Sequence, residues 1–189
     1  MTESEDLLAR AAAGESHAFG HLMQATKADL YRFIRAYVGD GEEAYDLVQE
    51  TYTAAWLAIG RYDPSRPFEA WLRTIALNKC RDWSRRRAVR RVVRGVMGLD
   101  TPYAAAVGDD APGGETRLDD QRRAALLRHA LTELPDTLKA PLLLATLDGR
   151  SYADIAAFLR ITPKAVETRI ARARRRLSEA LDAVTTKAS

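Results

Sequence analysis

Apolar residues recur at helical spacing along most of the chain, and nowhere do they alternate as a half-buried strand requires. Leu22, Leu30, Phe33, Ile34, Tyr37 and Val38 share one such pattern, and Ala44, Leu47, Val48 and Ala55 another. The spacing predicts helices from about Glu5 to Arg94. Val38-Gly39-Asp40-Gly41 interrupts them once, and Tyr62-Asp63-Pro64-Ser65-Arg66-Pro67 interrupts them again before a helix that opens at Phe68. From Gly95 to Leu118 the residues Pro102, Gly108, Pro112, Gly113 and Gly114 deny any long helix, so this stretch reads as an interdomain linker. Periodicity resumes at Asp119, continues through Leu126, Leu127, Ala130 and Leu131, and returns from Leu142 to Leu147 and on to about Ala183. The expected fold is all-α, with a helical domain over 1–94, a flexible linker over 95–118 and a second helical domain over 119–189.

The second block carries the sharpest local signal. Ser151-Tyr152-Ala153-Asp154 has the form of a capping box, in which a hydroxyl and the carboxylate three residues on satisfy free amides at a helix start. That helix ends near Leu159. Thr162 is a good N-cap and Pro163 a good first helical residue, so a second helix follows at once and runs through Leu177. Two short helices joined this tightly make a helix-turn-helix. Val166, Ile170, Ala173 and Leu177 share the face that must pack on Ile155, Ala156 and Leu159. The opposite face presents Lys164, Glu167, Thr168, Ala171, Arg172 and Arg175, with Arg169, Arg174 and Arg176 on its flanks, which suits a major groove between two phosphate ridges. A solvated basic helix is the plainer alternative. Five arginines in eight residues, Arg169 to Arg176, contain no balancing acid and favour a polyanion.

The net charge of the 189 residues is only +3, but the charges are segregated. A second basic stretch, Lys79 to Arg91, closes the first block. Before it lies the opposite charge: Asp40, Glu42, Glu43, Asp46 and Glu50, with no Lys or Arg from Ala36 to Gly60. An acidic helix is wrong for DNA and right for a basic protein partner. One cysteine, Cys80, allows no internal disulfide and reads as a small packing residue, which favours a reducing compartment and hence the cytoplasm. The acidic start Met1 to Asp6 is unlike a signal peptide, and no apolar run approaches the roughly 20 residues of a membrane span. His17 and His21 stand four apart, but no third ligand follows and no HExxH occurs, so no metal site is expected. No phosphate loop, nucleophile elbow or carboxylate pair suggests catalysis or a cofactor.

These stretches resemble one family. Glu43-Ala44-Tyr45-Asp46-Leu47-Val48-Gln49-Glu50-Thr51-Tyr52 resembles region 2.2 of the extracytoplasmic-function sigma factors, whose usual form is DAEDLVQETF. Phe68 to Asn78 resembles their regions 2.3 and 2.4. Leu134-Pro135, Gly149 to Ala156 and Ala165 to Arg174 resemble region 4. The resemblance implies a factor that brings core RNA polymerase to promoters, with region 2.2 docked on the clamp helices of the largest subunit through Asp46, Gln49 and Glu50, and region 4 meeting the flap of the second-largest subunit. It implies that Tyr62, Asp63, Ser65, Arg66 and Asn78 read the melted −10 strand, with Arg81 and Arg85 on phosphates. The −35 element falls to Lys164, Glu167, Thr168, Arg169, Ala171, Arg172 and Arg175. An anti-sigma factor is the usual further partner. Trp56, Phe68 and Trp71 are expected in the core rather than as stacking platforms. Two residues depart from the family: Arg160 where the turn usually has glycine, and Glu167 where Lys or Arg is common. A helix-turn-helix regulator that works without polymerase is the competing reading, and it leaves the acidic stretch from Glu42 to Glu50 unexplained.

Overall fold

The computed structural model describes residues 3–96 and 115–185, and among them every regular element is helical. The order is α1 (Glu3–Ala12), α2 (Ser16–Val38), α3 (Gly41–Ala58), a 3-10 turn (Ile59–Arg61), α4 (Phe68–Val96), α5 (Glu115–Glu133), α6 (Asp136–Thr146), α7 (Tyr152–Leu159) and α8 (Pro163–Thr185). Two compact units divide between Trp83 and Ser84. Most of the expected linker lies outside the described residues.

In the first unit α1 packs on α2, and α2 on α3. The apolar stripes bring Leu30, Phe33, Ile34 and Tyr37 of α2 against Leu47, Val48 and Ala55 of α3 and Leu72, Ala76, Leu77 and Cys80 of α4, all buried. Gly39 ends α2 in the left-handed region at φ 83°, where a side chain would be strained, and its amide reaches the Arg35 carbonyl at 2.9 Å. Asp40 then caps α3 by accepting from the Glu43 amide at 3.0 Å, an N-cap worth about 1 kcal/mol. Several polar groups enter this core with partners. The Thr26 hydroxyl donates to the Leu22 carbonyl at 2.8 Å and meets the Tyr52 hydroxyl at 2.9 Å. Burial pushes the Tyr52 phenol above its ordinary range, against the Thr26 hydrogen bond. Arg73 lies almost wholly buried, with its guanidinium carbon 4.4 Å from the centre of the Phe33 ring.

In the second unit α5, α6 and α7 each pack on α8. Leu138, Leu142, Leu143, Leu144, Ile155, Val166, Ile170 and Ala173 form its core. Lys139 is buried among them and donates from Nζ to the Thr132 carbonyl at 2.9 Å, at the C-terminal end of α5 where a cation complements the helix dipole.

Several boundaries differ from expectation, and a break over residues 13–15, with Gly14 in the left-handed region at φ 94°, separates α1 from α2. α5 starts at Glu115 rather than Asp119, because no Gly or Pro lies between Gly114 and Asp119. α6 starts at Asp136 rather than near Leu142 and runs through Pro141, whose missing N–H removes one helical bond while its ring joins the buried face. α8 continues past Leu177 to Thr185 through residues that contain no breaker.

Candidate nucleic-acid and partner interfaces

α3 offers an outward stripe. Glu42, Tyr45, Asp46, Gln49, Thr53 and Leu57 are exposed, and the four-residue rhythm of the buried positions Ala44, Leu47, Val48, Thr51 and Ala55 leaves them on the outer face. Asp46 and Gln49 therefore stand where a partner can reach them. Glu50 is different: its Oε2 lies 3.2 Å from Nζ of Lys79 on α4. Glu43 is engaged in the same way, accepting from Trp83 Nε1 at 2.8 Å. Neither cross-helix bond is visible in the sequence, because the partners are 29 and 40 residues apart.

The segment before α4 is held by its own side chains. Asp63 accepts from the Ser65 amide at 3.0 Å, and the Arg66 amide donates to the Asp63 carbonyl at 3.1 Å. Hydrogen bonds from Ser65, chiefly its side chain, hold the Asp63 carboxyl below its ordinary range. The Tyr62 hydroxyl donates to the Arg66 carbonyl, and burial pushes this phenol up. The Tyr62 ring also packs on Phe68 and Trp71, with centroids 5.9 and 5.3 Å away. Tyr62 is thus built into an aromatic cluster rather than left as a free platform. Phe68 is buried, while Trp56 and Trp71 are half-buried, Trp56 against Phe19 at 5.1 Å. Asp63, Ser65, Arg66, Asn78 and Arg85 are exposed and Arg81 is half-buried. His17 and His21 meet edge to face at 4.7 Å, and no group of three metal-ligating side chains exists among the described residues.

The helix-turn-helix forms as its residues dictate. The Asp154 amide donates to Ser151 Oγ at 3.1 Å, but the Asp154 carboxylate accepts from that same hydroxyl at 2.6 Å instead of reaching back to an amide, so the capping box is half made. Thr162 caps α8 by accepting from the Ala165 amide at 3.2 Å. Arg160 closes α7 in the left-handed region, at φ 55° and ψ 49°. The Ile161 amide donates to Ala156 O at 3.0 Å and the Arg160 amide to Ala157 O at 3.4 Å, the paired bonds of a Schellman ending. The turn is therefore the ordinary one, made with arginine in the glycine position.

On α8, Val166, Ile170 and Ala173 are buried against the unit, with Leu177 half-buried. Lys164, Glu167, Ala171, Arg172 and Arg175 are exposed, and Thr168 and Arg169 half-exposed. Glu167 is not paired with an arginine: its Oε2 accepts from Lys164 Nζ at 2.8 Å, one turn back. Thr168 turns its hydroxyl to the Lys164 carbonyl at 2.9 Å. Arg175 has an acid one turn on, Glu179, at 3.7 Å.

Comparison with known proteins decides the family. Residues 22–91 match the Sigma-70 region 2 model and residues 118–177 the Sigma-70, region 4 model. The chain belongs to the sigma-70 family. It is 39% identical over 178 residues to the RNA polymerase sigma factor CnrH of Cupriavidus metallidurans, covering 94% of this chain and 93% of that one. The structure of CnrH in complex with the cytosolic domain of CnrY superposes with a TM-score of 0.65 at 33% identity, over 96% of this chain and 99% of that one. The ECF RNA polymerase sigma factor SigM of Mycobacterium tuberculosis is 30% identical, with 93% of this chain and 83% of the relative covered. The sigma factor RpoE of Bartonella quintana, solved with the anti-sigma factor NepR, gives a TM-score of 0.64 at 27% identity over 87% of this chain and 96% of that one. Within the sigma-70 family, these relatives place the chain in the extracytoplasmic-function class. The region 2 match takes in α3 and most of α4, and the region 4 match takes in α6, α7 and the first part of α8.

Proposed function

We propose that this sigma factor docks on core RNA polymerase through the outer face of α3, captures the −10 strand with the Tyr62–Pro67 segment and α4, and reads the −35 element with α8. The observation that carries the reading is the separation of charge on matching elements. α3 is acidic outside and carries no basic side chain, while α8 places Lys164, Arg172 and Arg175 on its exposed face. A basic protein surface and a DNA groove are the complementary partners. Asp46 and Gln49 contact the clamp helices of the largest subunit, with Glu50 joining them. Asp63, Ser65, Arg66, Asn78, Arg81 and Arg85 serve the −10 element, with Tyr62 shaping the segment. The factor initiates transcription at specific promoters and performs no catalysis of its own. It acts in the cytoplasm; no helix among the described residues is long and apolar enough to cross a membrane. An anti-sigma factor holds it inactive, as the complex of the Bartonella relative suggests by likeness.

Runoff transcription with purified core enzyme on a genomic promoter library tests the function directly. Alanine at Asp46, Gln49 and Glu50 together is expected to weaken core binding about tenfold or more, roughly 1.4 kcal/mol, with helix content unchanged. Wild-type assembly by that variant would remove the α3 assignment. Duplex binding that needs no core enzyme, without runoff products, would instead favour a simple regulator.

A further inference from the structure

Two side-chain bonds between α3 and α4 in the first unit are of unequal character. Trp83 Nε1 to Glu43 Oε2, at 2.8 Å, uses a buried indole. Lys79 Nζ to Glu50 Oε2, at 3.2 Å, lies one turn back along α4 and is partly open, the two side chains being 32% and 41% exposed. Open ion pairs are weak and screened by salt. The outer bond can therefore be exchanged while the inner one keeps the helices in register.

Both ends of the outer bond belong to surfaces with other partners. Glu50 adjoins Gln49 on the acidic helix, and Lys79 directly follows Asn78 on α4. At 100° per residue Lys79 sits on the flank of α4 between the α3 contact and the face of Asn78. Its flexible stem lets the ammonium swing from one to the other. We propose that Lys79 is a DNA-phosphate ligand masked in the free chain by Glu50, and that polymerase, by taking the Glu50 carboxylate, releases Lys79 to the promoter strand. Docking and strand capture then share one charge. The inference rests on the α3 reading given above, and its test separates the two.

The probe is a labelled mixed-sequence single-stranded 25-mer, titrated with the intact chain over a range of salt. One added phosphate contact steepens the slope of log K against log salt by about 0.7, which at 0.15 M salt is about fourfold in affinity. Glu50→Gln in the free chain should give this gain. Lys79→Met should change little by itself in the free chain and should abolish the gain in the Glu50→Gln background. In holoenzyme, Lys79→Met should lose about fourfold and flatten the slope by the same amount. An unchanged slope for Glu50→Gln, or an equal loss from Lys79→Met with and without polymerase, overturns the mask. Core affinity measured for Asp46→Asn, a residue outside the pair, reports separately on the docking face: wild-type affinity there would sink the α3 reading while leaving the free-chain titration to judge the pair.

Discussion

Arg160 holds backbone angles that cost an L-residue roughly 1–2 kcal/mol. Glycine would relieve this but would give up about 0.5–1 kcal/mol of its own through greater freedom in the unfolded chain. Arg160→Gly is therefore expected to stabilise the second unit by about 0.5–1 kcal/mol, raising its melting midpoint by a few degrees, about 4 °C. Circular dichroism melts check it, and a lower midpoint would mean that the arginine side chain contributes more than the strain costs. Lys139 is the opposite case, a charged residue that the fold needs inside. Lys139→Met leaves the Thr132 carbonyl without its 2.9 Å donor, and a charged hydrogen bond is worth about 1.5–3 kcal/mol, so urea denaturation should show a loss of that size. For Glu167 the prediction concerns recognition rather than stability. Lys164 holds one carboxylate oxygen at 2.8 Å, and the other can accept from a cytosine amino group, a discrimination of roughly 1–3 kcal/mol. Binding-site selection with polymerase present, for wild type and Glu167→Lys, should shift the preferred base at one or two −35 positions. Tighter binding with an unchanged consensus would reduce Glu167 to a charge effect.

At the scale of elements, the stability of the first unit depends on buried polar bonds as well as the apolar stripes. The Tyr52 hydroxyl has one proton to give, to the Met23 carbonyl at 3.0 Å or to the Thr26 hydroxyl at 2.9 Å. Tyr52→Phe should cost about 1 kcal/mol, seen as a lower denaturant midpoint with unchanged slope. Sequence alone showed what is local. Gly39, Asp40, Ser151 and Thr162 announced helix ends because caps are decided within four residues, and the burial of Val166, Ile170 and Ala173 followed from spacing. What it could not show depends on contacts made at a distance. Glu50 looked like one more free acid until α4 brought Lys79 beside it, and nothing in the local pattern marked Lys139 for burial. Pro141 hid the first half of α6, since the local rule against proline in a helix was outweighed by the burial of Leu138, Leu142, Leu143 and Leu144.

For the whole molecule, we propose that the functional division follows α4 rather than the break at Trp83, with one body for polymerase and the −10 strand and another for the −35 element. α4 is one continuous helix from Phe68 to Val96, and the region 2 match runs to residue 91. Fragments 1–96 and 115–189 should each be helical, the first alone should bind core enzyme, and the second alone should bind DNA only weakly. Mixed in trans they lack the effective concentration, on the order of millimolar, that a covalent connection supplies, so promoter affinity should fall about 100-fold or more below that of the intact chain. The salt dependence makes the comparison sharper. Each fragment releases counterions only for the phosphates it contacts, with a slope near −0.9 per phosphate on duplex and −0.7 on single strand. If both bodies touch DNA at once in the intact complex, its slope should equal the sum of the two fragment slopes measured with core enzyme present. An intact slope no steeper than that of fragment 1–96 would mean that the second body is not on the DNA, and the −35 assignment of α8 would fall with it.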